Sequence, residues 1–172
     1  EISKIYSSKD FRTFTCTMFH KDNSMRRTKI AISQRRDQID GRNEVRDALD
    51  VRVGQFLWDL GFNPIPLASQ ISDAKSYLTE LSPDGFVLSG GNDIGSTIER
   101  DNLELAMLEY SSDHQLPLLG ICRGMQIIND YQGGSYQCIE GHVATKHPVS
   151  GKLTENRERY VNSFHEFAIT LA

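Results

Sequence analysis

The chain is poor in cysteine. Its three, Cys16, Cys122 and Cys138, are too few and too scattered for a disulfide framework. No Cys-x-x-Cys or His-x-x-x-His spacing marks a zinc site, so no metal and no cofactor is expected. No apolar run approaches the roughly 20 residues of a membrane span, and the first residues lack the organisation of a signal peptide. Charge of one sign is missing too. The 19 Lys and Arg against 23 Asp and Glu leave a net charge of −4, which gives no electrostatic case for nucleic acid or an anionic membrane. What remains is a globular domain with 38% hydrophobic and 24% charged residues, in a reducing, cytoplasmic setting.

Residues 1–24 mix Ser, Thr, Phe and Lys without a sustained period and read as an uncharacterised extension, a disordered segment or an upstream remnant. Organised pattern begins after Met25, so the domain is expected over residues 25–172. Lys29-Ile30-Ala31-Ile32-Ser33 reads as a strand, followed by a charged loop from Gln34 to Arg42. Asn43 can cap a helix, with Val45, Leu49, Val53, Phe56, Leu57 and Leu60 at helical spacing and Gly61 as the stop. Phe62 to Leu67, with two prolines that cannot donate to a ladder, predicts an edge strand. A weaker helix over Ile71 to Leu81 follows, then a strand over Asp84 to Ser89 that enters Gly90-Gly91-Asn92-Asp93-Ile94-Gly95. This loop lacks the lysine of a phosphate-binding loop and the spacing of a dinucleotide motif. A helix over about Ile98 to His114 should bury Ile98, Leu105 and Leu108 on one face. Beyond Gly133-Gly134 short strand-like pieces recur at Ser135 to Ile139, Thr145 to Val149 and Glu158 to Ser163.

Between these halves lies Leu116 to Gln126. An apolar run ends in Gly120-Ile121-Cys122-Arg123-Gly124 and leads into a helix reaching Tyr131. This is the strand–turn–helix setting of a nucleophile elbow, with cysteine as the nucleophile. The positive end of the helix favours a thiolate there. Strands alternating with helices predict an open, mainly parallel α/β sheet of flavodoxin-like type, with helices on both faces. In such sheets ligands sit at the carboxyl ends of strands, where Ser89-Gly90-Gly91 and Cys122 both fall. A thiolate attacking an amide carbonyl builds an oxyanion, and each preorganised N–H donor to it contributes about 2.7–4 kcal/mol. The Arg123 amide is one such donor, and Gly90 or Gly91 would supply the other. The nucleophile also needs a base within about 3 Å. His114 lies at a helix end suited to a solvated imidazole; composition alone does not choose between His147 and His165. Arg35, Arg36, Arg42 and Arg46 either meet a substrate phosphate or pair with nearby acids such as Asp37, Asp47 and Asp50, the commoner outcome on a surface.

Taken in order, Ile32-Ser33-Gln34-Arg35, Arg46-Asp47-Ala48-Leu49-Asp50, Leu88-Ser89-Gly90-Gly91-Asn92-Asp93, Gly120 to Gln126, Gly141-His142 with His147, and Asn162-Ser163-Phe164-His165 carry a resemblance. Over about Lys29 to Ala172 the sequence resembles the class I glutamine amidotransferase superfamily, and within it the γ-glutamyl hydrolase, peptidase C26-like branch. Its later residues look most like the γ-glutamyl-CDP-amidate hydrolases of capsule phosphoramidate biosynthesis. The resemblance implies Cys122 as nucleophile through a γ-glutamyl thioester, with Gly91 and Arg123 as oxyanion amides. It also implies Gly90, Gln126, Asn162, Ser163, Phe164 and His165 along the glutamyl moiety.

The family's base is a His-x-Glu pair on a late strand beyond the Ser-Phe-His segment. His147-Pro148-Val149 imitates it too early and without the Glu, so the chain is expected to be either a C-terminally incomplete piece of an active enzyme, the favoured reading, or a truncated protein without turnover. The expected partner is a small γ-glutamyl substrate or glutamine. Two other roles are open: a glutaminase subunit passing ammonia to a synthetase, and a non-catalytic module of the same fold.

Overall fold

The computed structural model describes residues 26–170, so the expectations for residues 1–24 lie outside the described residues. Four short strands, β1 (Lys29–Ile32), β4 (Asn63–Pro66), β5 (Gly85–Leu88) and β6 (Leu118–Gly120), form a parallel sheet in the order β4-β1-β5-β6. Successive side chains of a strand point to opposite faces, and the core divides accordingly. Ile30 and Ile32 of β1 and Val87 of β5 pack with Leu57 on one face. On the other, Ala31, Phe86 and Leu88 pack with Leu78, Leu103, Met107, Leu108 and Ile127. Helix α1 (Val51–Asp59) therefore covers the first face, and α2 (Ala74–Leu81), α3 (Ile98–His114) and α4 (Arg123–Tyr131) cover the second. The expected fold class holds for this half of the chain. Strand β4 is an edge, as its prolines require.

The stretch from Gln34 to Asp50 differs from expectation. Arg35–Gln38 (β2) and Val45–Ala48 (β3) pair as an antiparallel hairpin, where the sequence predicts a loop and the start of a helix. The helix begins only at Val51, because the Asp50 side chain accepts from the Arg52 amide at 2.9 Å and so sets the cap there, not at Asn43. Likewise Asp73 accepts from the Ser76 amide at 2.9 Å and starts α2 three residues after Ile71. Helix α3 has the predicted limits but is turned about its axis: Ile98 and Leu105 are exposed, while Leu103, Met107, Arg100, Asp101 and Glu104 are buried.

After α4 the chain is antiparallel. Ser135–Cys138 (β7) pairs with Phe167–Thr170 (β10), and Val143–Val149 (β8) pairs with Arg159–Phe164 (β9). The buried Asn129 ties α4 to the first pair by donating to the carbonyl of Ser135 at 2.9 Å. Among the described residues no helix is long and apolar enough to cross a membrane.

Candidate active site

The chain runs from β1 through β4 on one side and then to β5 on the other. That reversal opens a crevice at the carboxyl ends of β1 and β5, the usual ligand position in open α/β sheets. Ser33, fully buried just past β1, binds both strand ends: its amide donates to Val87 O at 3.0 Å and its Oγ accepts from the Ser89 amide at 3.0 Å. The next turn is Gly90-Gly91. A side chain on Gly90 would lie 3.4 Å from Cys122 Cβ, and one on Gly91, which has φ +84°, would meet the stem of Arg35. A Cβ at position 90 would stand in ordinary van der Waals contact with Cys122, so this backbone lies directly beside it.

Cys122 is exposed and takes φ +53°, ψ −110°, a left-handed region that residues other than glycine rarely adopt. The turn is locked on both sides. The Ile121 amide donates to Leu88 O at 2.9 Å, and the Met125 amide donates to Cys122 O at 2.9 Å. A side chain on Gly124 would collide with the Leu88 carbonyl, and one on Gly120 would meet Ile128 Cδ1 at 2.5 Å. Both elbow glycines are thus needed for α4 to lie against β5 and β6. The Arg123 amide is at the first position of α4, among the donors that a helix leaves without internal partners.

Sequence reasoning missed what lies beneath. The Arg123 side chain is buried and pairs with Glu104 and Asp101, and Arg100 Nε binds Glu104 at 2.9 Å. Two guanidinium groups and two carboxylates make a neutral buried quartet, as burying charge requires. Burial pulls the Arg100 guanidinium below its usual range, while Glu104 pushes it back up. Arg100 also donates to the carbonyls of Ser89, at 2.7 Å, and Gly91, and Asp101 accepts from the Gly95 amide at 2.8 Å. The quartet therefore fastens the glycine loop and the start of α4 to one helix, α3. The signal was the spacing of Arg100, Glu104, Met107 and Ser111, which puts charged groups on the same stripe as the core residues.

The structure brings Cys122, Gly90, Gly91 and Arg123 together. Gln126 is half-buried one turn further along α4. Asn162, Ser163 and Phe164 lie on β9, and among the described residues no hydrogen bond joins them to Cys122 or Gln126. Ser163 is buried, with no partner found for its Oγ; Asn162 and Phe164 are exposed. Among the described residues no histidine is bonded to Cys122. His114 stacks on Tyr110 at 3.9 Å and bonds to its carbonyl at 2.9 Å, the solvated helix end expected of it. His147 and His165 instead group with His142, whose ring nitrogen is taken out of water. That loss of solvation, and next the neighbouring imidazoles, hold His142 below its usual range.

The arginines pair with acids: Arg35 with Asp37 at 2.6 Å, Arg36 with Glu99 at 3.2 Å, Arg46 with Glu44 at 2.5 Å and Arg42 with Glu44 at 3.8 Å. Asp47 accepts from Ser69, and Asp50 pairs with Arg52.

Comparison with known proteins places the chain among named relatives. The chain is 36% identical over 150 residues to the γ-glutamyl-CDP-amidate hydrolase of Campylobacter jejuni, covering 81% of this chain and 71% of that protein. It is 35% identical over 79 residues to the glutamine-hydrolysing GMP synthase of Vibrio vulnificus, covering 44% of this chain but only 14% of that enzyme. The solved structure of a Thermoplasma acidophilum protein, named for one of the GMP synthase subunits, superposes with a TM-score of 0.60 at 25% identity, covering 85% of this chain and 68% of its own. The Peptidase C26 family model matches residues 58–172, which include the glycine loop, the buried quartet and the elbow. The chain belongs to the Peptidase C26 family, within the class I glutamine amidotransferase-like proteins.

Proposed function

We propose that this protein is a cysteine-dependent hydrolase of γ-glutamyl amide bonds that works through a thioester on Cys122. The observation that carries the reading is the exposed cysteine, held at φ +53° at the start of α4 with the Gly90 backbone against it. Sγ attacks the γ-carbonyl carbon, and the carbonyl oxygen takes the negative charge between the amides of Arg123 and Gly91. The carbon–nitrogen bond then breaks, the amine leaves with a proton, and water cleaves the thioester to give glutamate and the free thiol. Two preorganised donors at such an oxygen contribute about 2.7–4 kcal/mol each. Gln126 and the Asn162-Ser163-Phe164 segment belong to the glutamyl side in this reading.

The substrate we favour is a γ-glutamyl phosphoramidate nucleotide, because the Campylobacter jejuni relative that matches 81% of this chain is named for that hydrolysis. The similarity to GMP synthase supports a second reading, a glutaminase delivering ammonia to a synthetase partner. A rate of glutamine hydrolysis that rises only with such a partner would distinguish it.

A diazo-ketone analogue of glutamine tests the nucleophile directly. Mass spectrometry should find the adduct on the peptide carrying Cys122, and Cys122→Ser should abolish it with Cys138 still present. Labelling of Cys138 alone, or glutamate release by the full-length reading frame that survives Cys122→Ser, would overturn the proposal.

A further inference from the structure

We propose that His142, His147 and His165 form a binding site for one divalent transition-metal ion, with Zn2+ the best fit. The local fold gathers them. Val143 pairs with Phe164, so His142 and His165, one step outside that pair, are adjacent, and the His165 amide donates to the His142 carbonyl at 3.3 Å. His142 and His147 are five residues apart and would point to opposite faces of a regular strand. The register shifts between Val143 and Thr145, where Ala144 takes φ +54°, and this extra residue returns His147 to the side of His142.

The three rings lie with centroids 4.6, 5.0 and 6.2 Å apart, and one ligand nitrogen from each falls within 4.8 Å of the others. Tetrahedral zinc with Zn–N bonds of 2.0–2.1 Å holds its nitrogens about 3.3 Å apart, which small side-chain rotations reach.

The hydrogen bonds favour ligation. His147 Nδ1 faces the Pro148 carbonyl at 3.2 Å, and His165 Nδ1 faces the Phe167 carbonyl at 2.9 Å. A carbonyl only accepts, so both Nδ1 atoms carry the proton and both Nε2 lone pairs are free. This is the outer-shell arrangement common to metal-binding histidines. His142 Nδ1 is buried with no partner found for it. Imidazole ligands select zinc and its late first-row neighbours over Mg2+ or Ca2+, which prefer oxygen. Three ligands leave a fourth position for water.

A structural need exists for such an ion. Two-stranded ribbons are marginal in water without a hydrophobic face, and among the described residues β8 and β9 bury no apolar side chain. An ion held from before β8, within β8 and after β9 would cross-link the ribbon. In this role His165 is a metal ligand and not part of the glutamyl site.

The test uses the full chain with Cys16, Cys122 and Cys138 changed to serine, so that thiolates do not compete. Titrated Co2+ should give the visible bands of a tetrahedral nitrogen site at one equivalent, removed by Zn2+. Each of His142→Ala, His147→Ala and His165→Ala should weaken binding by at least the roughly 10–100-fold that loss of an outer-shell partner costs. His114→Ala should leave it unchanged. Hydrogen exchange on the unmutated chain supplies a second reading, with Zn2+ slowing the amides of β8 and β9. Absence of bands, or equal weakening by His114→Ala, overturns the site; bound metal with those amides unprotected overturns the cross-linking role.

Discussion

In the four-stranded sheet, β1 and β5 bury side chains on both faces and the loops above them are pinned by buried ion pairs; the β8–β9 ribbon buries only Ser163. The first region holds its backbone by displacing water from apolar surface and then using that dry interior to fix charged groups in one geometry. The ribbon relies on ladder hydrogen bonds that remain open to solvent. Buried packing and buried ion pairs are thus concentrated under Cys122, where the proposed mechanism needs its amides held in place, and not in the ribbon beside which the histidines gather.

The largest expected break in this contrast is Glu104→Ala. Removing one member of the quartet leaves Arg100 and Arg123 buried with too little negative charge, and breaking a buried pair in this way costs about 3–5 kcal/mol. Urea denaturation should show that loss. In the full-length reading frame, glutamate release should fall more than stability alone explains, because Arg100 and Arg123 set the glycine loop and the elbow. At the other extreme, Tyr160→Ala on β9 removes a side chain that is 70% exposed and should change stability by less than about 0.5 kcal/mol. A loss there comparable to that of Glu104→Ala would erase the distinction between the two regions.

The smallest effect sharpens the contrast by pH. The Asp50 carboxylate, hydrogen-bonded by the Arg52 side chain and then its amide, is lowered from 3.8 to about 2. Its folded value lies below its unfolded one, so the capping contribution is present above pH 3.8 and is lost as pH falls towards about 2. A carboxyl NMR titration should place the Asp50 midpoint near the lower value. Asp50→Asn should flatten the acid limb of the stability curve for the sheet region and leave the ribbon unaffected.

Which features could be read from sequence follows from the same physics. Apolar runs such as Ile30-Ala31-Ile32 and Phe86-Val87-Leu88 announce buried strands, and Gly120 and Gly124 announce the elbow because few other residues fit. The β2–β3 hairpin was hidden, since Arg35–Gln38 has no apolar alternation and its partner shares a helical period with α1. The buried face of α3 was hidden because it is charged, and hydrophobic periodicity weights Ile98 and Leu105 over Arg100 and Glu104. The histidine group depended on a strand pairing and an irregularity that spacing alone does not reveal.

The backbone at Cys122 has one more consequence. A residue with a side chain held at φ +53° costs on the order of 1–3 kcal/mol, a cost glycine would largely escape. Under the proposed mechanism, fold maintenance and chemistry therefore want different residues at this position. A variant library ranked only by resistance to heat would enrich glycine here, and its best survivors would have lost the sulfur.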